Sequence, residues 1–200
     1  GTELTLADGS HLPVLARNPT GYRRLVSAIS QHNLDVGQRR EPAHDLSALA
    51  AALRSDPTGQ TEGAVGTCLV LTGTANGPLR RALGDPRRPG TWDLKAADAC
   101  LGRLTELFAA PDRGRPSGSP TSTAHPQVEG DAAIGLAVEL TLDGGPTDAA
   151  LTDALTRLAH DHRLPLVATG AVRCARPTDA RLADVLTSTR LVTDLEGARG

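Results

Sequence analysis

Two hundred residues suit one domain or a large part of one, and a net charge of −2 argues against a domain that grips nucleic acid by overall charge alone. One Trp, one Tyr and one Phe leave core filling to Ala, Leu and Val, as in closely packed α/β layers. Cys68, Cys100 and Cys174 form neither a CxxC pair nor a disulfide framework. With no apolar run long enough for a membrane span, a reduced, cytoplasmic protein is expected.

Gly1–Leu6 reads as a strand with Leu4 and Leu6 on one face. There is no starting Met, so the domain is expected to begin upstream. His11–Ala16 is an apolar run suited to a buried strand. Asn18-Pro19 then opens a helix, Asn as cap and Pro in the first turn. Tyr22, Leu25, Val26 and Ile29 form its expected inward stripe. Asp45 caps a shorter helix with Leu46, Leu49 and Leu53 inward, and Ser55–Gly66 reads as a loop.

Cys68–Thr72 is the next compact strand. Gly73–Gly77 makes a turn, Pro78–Leu83 a helix, and Arg87–Gly90 a charged loop. Leu94, Ala97, Leu101, Leu104 and Phe108 mark an amphipathic helix. Pro111–Gly130, rich in Pro, Ser, Thr and Gly, is expected to be a mobile insertion. Ile134–Leu140 follows as a strand carrying Glu139. Pro146 opens a helix with Leu151, Ala154, Leu155, Leu158 and Ala159 inward. Leu166–Thr169 is a last strand and Pro177–Leu186 a last helix. Short apolar strands alternating with amphipathic helices predict βα units and a mainly parallel sheet, with functional groups at the carboxyl ends of strands.

Four segments carry a resemblance. They are Gly1–Leu6, HLPVLARNPTGYRRL from His11, LVLTGTANGPLRRAL from Leu69, and the stretch Val138–Leu186. In order and spacing they resemble the PHP domain of bacterial DNA polymerase III alpha subunits, closest to the error-prone, translesion branch. The resemblance implies an incomplete, distorted (β/α)7 barrel, a partial PHP domain over residues 1–200 whose first strands and His-x-His motif lie upstream. It also implies a parent that copies DNA with Mg, in which this portion is a scaffold contacting the other polymerase domains, reaching DNA through the parent and no membrane.

In members with an intact site, His, Asp, Glu and Cys side chains hold zinc or manganese for phosphoester hydrolysis. Here the resemblance matches Glu3 and His11 to two ligand positions. Thr74 stands where the family often has Cys, and Ala171 and Arg173 stand where metal-binding members carry Asp and His. Arg cannot become a ligand and its charge repels a cation. The expectation is therefore a vestigial pair, Glu3 and His11, with no catalytic residue and no cofactor bound by this chain. Arg173 is a candidate ion-pair partner for Glu3, replacing a lost ion. The alternatives are a free-standing metal-dependent PHP phosphoesterase and an inactive remnant.

Three further motifs have plainer readings. His160-Asp-His162 spells His-x-His but sits at a helix end, where a cationic group suits the helix dipole. Gly73–Gly77 lacks the Lys-Ser/Thr ending of a phosphate loop and reads as a tight turn. The pairs Arg23-Arg24, Arg80-Arg81 and Arg87-Arg88 read as solvated faces, with nucleic acid or a polymerase domain as the alternative partner.

Overall fold

The computed structural model describes residues 1–36, 43–54, 67–85, 87–109, 134–142, 144–170, 172 and 174–195. The chain forms two compact units, Gly1–Ala168 and Thr169–Gly200. The larger unit contains β1 (Thr2–Thr5), β2 (His11–Ala16), α1 (Pro19–Val36), α2 (Leu46–Arg54), β3 (Cys68–Leu71), α3 (Pro78–Leu83), α4 (Leu94–Phe108), β4 (Ile134–Leu140), α5 (Asp148–Asp161) and β5 (Leu166–Ala168). The smaller unit contains a 3-10 turn, Pro177–Asp179, and α6 (Ala180–Leu191). No helix of the described residues is long and apolar enough to cross a membrane. The segments 55–66 and 111–130, read above as loop and insertion, lie outside the described residues.

The strands form one sheet in the order β1-β2-β3-β4-β5. The expectation of a mainly parallel sheet is corrected. β1–β2 and β2–β3 pair antiparallel, and only β3–β4 and β4–β5 are parallel. The first reversal follows from chain length. Leu6 to Ser10 is too short for a parallel crossover, which needs a dozen or more residues. It is instead a tight turn, with Asp8 Oδ1 accepting from the Ser10 amide at 2.8 Å and hydroxyl at 2.6 Å, and Gly9 at φ +76°. The second reversal follows from two helices in succession. α1 and α2 return the chain to the end where β2 finished, so Cys68 starts β3 beside Ala16. The sheet is open among the described residues, with β1 and β5 as its edges, and no closed barrel is formed.

The helices of the larger unit share one face of this sheet. Leu4, Leu12, Val14, Val70 and Leu136 pack with Leu25 and Ala28 of α1, Leu49 and Leu53 of α2, and Leu104 and Phe108 of α4. Val138, two residues beyond Leu136 and so on the same face, packs with Leu79 of α3, Leu101 of α4, and Leu151 and Leu155 of α5. The Arg54 guanidinium donates to the Leu107 carbonyl and ties α2 to α4.

Local starts are as the side chains dictate. Asn18 Oδ1 accepts from the Gly21 amide at 2.8 Å. Asp45 Oδ1 accepts from the Ser47 and Ala48 amides, and Asp93 Oδ1 from the Ala96 amide. The inward stripe expected on α1 is rotated. Tyr22 and Val26 are exposed, while Gly21, Arg24, Leu25 and Ala28 face the core. Gly21 sets this rotation, because a Cβ there would stand 1.9 Å from the Thr67 carbonyl oxygen. Leu94 is also exposed rather than inward, since it occupies the first turn of α4 ahead of the buried Ala97.

One polar pair, a buried His44 against a half-buried His32, lies beside the end of β1. His44 donates its amide to the Thr5 carbonyl at 2.8 Å and accepts from the Ala7 amide at 2.9 Å. Its ring stacks on His32 of α1, with centroids 3.9 Å apart. Burial first, and the neighbouring His32 second, hold the His44 imidazole below its ordinary value of 6.5. The unfolded chain therefore takes up this proton more readily than the folded one. The stability that follows is present above the unfolded pKa and is lost as pH falls from it toward the folded value. Melting temperature is expected to fall between about pH 7.5 and pH 5.5, and to fall less in His44→Gln.

Two glycine substitutions test the α1 contact. Gly21→Ala is expected to cost at least about 3 kcal/mol in chemical denaturation, because backbone must move. Gly102→Ala on α4 meets only His162 Cε1 at 3.7 Å. It is expected to be neutral or to stabilise by up to about 1 kcal/mol through helix propensity.

Candidate functional site

Strand alternation assigns the face opposite the helices to Glu3, Thr5, His11, Pro13, Leu15, Leu71, Ala137 and Glu139. Glu3 and His11 meet there as diagonal neighbours on β1 and β2, where Thr5 is directly opposite His11. Glu3 Oε2 lies 3.6 Å from His11 Nδ1, with both side chains partly in water.

Because β2 runs antiparallel to β3, the start of β2 lies at the carboxyl end of β3. Extending the registers of Val14 with Val70 and of Leu71 with Ala137 sets His11, Gly73 and Glu139 in one row across the sheet. Close contacts confirm the row. A Cβ on Gly73 would stand 2.6 Å from the His11 carbonyl oxygen, and Gly73 has φ +84°. The His11 amide donates to the Asn76 carbonyl at 2.9 Å. The Glu139 amide donates to Thr72 Oγ1 at 3.0 Å, with Thr72 and Glu139 both buried. A side chain is thus missing at Gly73, between an imidazole and a carboxylate two strand spacings, about 10 Å, apart.

Thr74 lies in the turn after β3, and its carbonyl accepts from the Gly77 amide at 2.9 Å. Gly77 is forced by packing, since a Cβ there would lie 2.3 Å from the Thr72 carbonyl oxygen. The Gly73–Gly77 segment is thus the tight strand-to-helix turn its composition predicts. Ala171 and Arg173 lie outside the described residues, as does the expected Glu3–Arg173 ion pair.

Among the described residues the donor set falls short of the ion cluster that the resemblance implies. Among the described residues no three His, Cys, Asp or Glu side chains converge as metal ligands. A catalytic zinc takes three protein ligands. Glu3 and His11 supply two, and Thr74 offers a hydroxyl in place of a thiolate. Burial pushes the thiols of Cys68 and Cys100 up, Cys68 standing at Gly21 of α1. Neither is poised as a thiolate ligand or nucleophile.

Three polar groupings were not foreseen from the sequence. The His32–His44 stack joins elements that only tertiary packing brings together. His162, capping the end of α5, pairs with Asp98 of α4 at 2.8 Å through Nε2. This gives the second His of the His-x-His sequence a structural partner. The third is the Asp8–Ser10 turn, which was passed over although Asp-Gly-Ser between two apolar runs is a turn signal. Burial alone would raise the Asp8 carboxyl. The Ser10 hydrogen bonds and the Arg81 charge outweigh that and hold it below its usual value.

No family model matches the chain. Curated relatives match it along its length. The chain is 33% identical over 192 residues to a protein named error-prone DNA polymerase from Nocardia farcinica, covering 96% of this chain and 14% of the relative. It is 31% identical over 199 residues to the protein of that name from Mycolicibacterium paratuberculosis, covering 100% and 14%. For the one from Cutibacterium acnes it is 33% over 193 residues, covering 96% and 13%. The chain therefore spans about one seventh of the curated relatives it matches.

The hydrogen bond that fixes the row is open to test. Thr72→Val keeps the shape but strips the acceptor from the buried Glu139 amide. A loss of about 1–3 kcal/mol is expected in urea unfolding.

Proposed function

We propose that this chain is the PHP-type portion of an error-prone DNA polymerase, with an ion-binding set too reduced for hydrolysis. The observation that carries the reading is identity of 31–33% over nearly all of the chain to proteins of that name. The one-sided sheet supports the finer assignment. An open sheet with every helix of its unit on one side has the layering of an arc cut from a barrel, helices outside and strand residues inside. Glu3, His11 and Glu139 then face the interior.

The role follows from what that face retains. Glu3 and His11 form a partly exposed cross-strand pair, and such pairs contribute little to stability or to catalysis on their own. The chain is a framework on which the remaining polymerase domains rest. DNA synthesis from nucleoside triphosphates, with magnesium, belongs to the parent protein. Its damage-tolerance role and cytoplasmic setting come with the same reading.

A chimera tests it. The matching segment of the Nocardia farcinica relative is replaced by this chain, and primer extension is measured beside a deletion of that segment. The chimera is expected to keep most of the parent's extension rate, and the deletion to lose it. A chimera no more active than the deletion contradicts the reading.

A further inference from the structure

We propose that the connection between α3 and α4 is a contact surface for the phosphate backbone of nucleic acid, an inference that rests on the polymerase reading and adds a surface to it. From Pro78 to Lys95 the chain carries five cations, Arg80, Arg81, Arg87, Arg88 and Lys95, against two acids, Asp85 and Asp93. That is a local excess of three positive charges in a chain whose net charge is −2. Arg80 is buried, whereas Arg87, Arg88 and Lys95 are exposed.

The acids near this surface are already engaged. Asp85 Oδ1 accepts from the Arg87 amide at 2.9 Å, and its Oδ2 stands 3.7 Å from Arg88 Nε in a solvent-screened pair. Asp93 caps α4 through the Ala96 amide, and Asp98 is held by His162. Arg81 donates to the Asp8 carbonyl at 2.9 Å, beside the Asp8 carboxylate that Ser10 engages.

The loop is also held in shape before any partner arrives. The Asp85 carbonyl accepts from the Arg88 amide at 3.1 Å and from Trp92 Nε1 at 2.8 Å. The Arg88 carbonyl accepts from the Thr91 amide and hydroxyl, both at 2.9 Å. The Asp93 amide donates to the Leu83 carbonyl at 2.9 Å, closing the base. Trp92 packs against the cluster around Leu79 and Leu101. A loop backbone held in this way loses less freedom on binding.

The composition of the tip selects the partner class. Residues 87–91 are all exposed and offer no aliphatic or aromatic side chain beyond Pro89. A protein interface centres on buried apolar or aromatic anchors. Phosphates need only cations and amides, and such contacts position a duplex without reading its sequence. Overall acidity is no obstacle, because contact is made through a local field within a Debye length of about 10 Å.

Fluorescence anisotropy of the 200-residue chain with a labelled DNA duplex, across a salt series, tests the proposal. The triple variant Arg87→Ala, Arg88→Ala, Lys95→Ala is compared with a charge-matched control, Arg23→Ala, Arg157→Ala, Arg181→Ala. The loop variant is expected to bind at least about tenfold more weakly at low salt, with a log–log salt slope shallower by about two to three. The control should change far less, and the melting temperatures of both should match the parent. Absence of binding by the parent chain, or equal losses in both variants, overturns the proposal. So does polyglutamate binding as tightly as DNA, which points to an acidic protein instead. The chimera judges the polymerase reading independently, so failure of the loop leaves that reading standing.

Discussion

Two apolar clusters on one side of a single sheet hold the larger unit together, and everything else about the chain is arranged around that one-sidedness. Leu12, Val14, Val70, Leu136 and Val138 alternate inward along three strands. α4 spans both clusters, with Ala97 and Leu101 in one and Leu104 and Phe108 in the other. A helix that bridges two clusters makes them one cooperative layer. Burying such aliphatic side chains is worth about 1.5–3 kcal/mol each, against a net of about 0.5–1.5 kcal/mol for a typical hydrogen bond. The helices take one face, so functional groups are left the other.

What that other face offers is sparse. Glu3, His11 and Glu139 are set out by register, and Gly73 leaves a gap in the row. The turn after β3 fills against His11 through backbone, with the Asn76 carbonyl bound to the His11 amide. Among the described residues, Glu3, His11 and Glu139 are the ionisable side chains set out on this face at the strand ends, and no three ligating side chains converge there. A local excess of positive charge lies elsewhere, at the connection between α3 and α4.

Much of this was legible in the sequence. β2, α3, α4 and β4 fall where the apolar runs and caps put them, because Leu101, Leu104 and Phe108 or Leu12 and Val14 carry unmistakable periods. The strand directions were not legible. Pairing direction depends on how many helices intervene, and α1 and α2 were read within a general pattern of βα units, which implies parallel neighbours, whereas together they form one return path to an antiparallel strand. The stripe on α1 was misread because hydrophobicity alone favours Tyr22 and Val26, whereas the close approach of Gly21 to Thr67 decides which side turns inward. For the candidate site, Glu3 and His11 were identified and do meet. Glu139 was noted only as the end of a strand, since its alignment with His11 depends on three-strand register. The His32–His44 stack left no periodic signal at all.

Titration calorimetry of zinc and manganese into the purified chain probes the thin ligand set most directly. The predicted result is no stoichiometric site for either ion, with the same trace for the parent and for Glu3→Gln. A tightly bound ion at whole-number stoichiometry, lost in Glu3→Gln or His11→Ala, would contradict the view that this sheet face no longer carries hydrolytic chemistry.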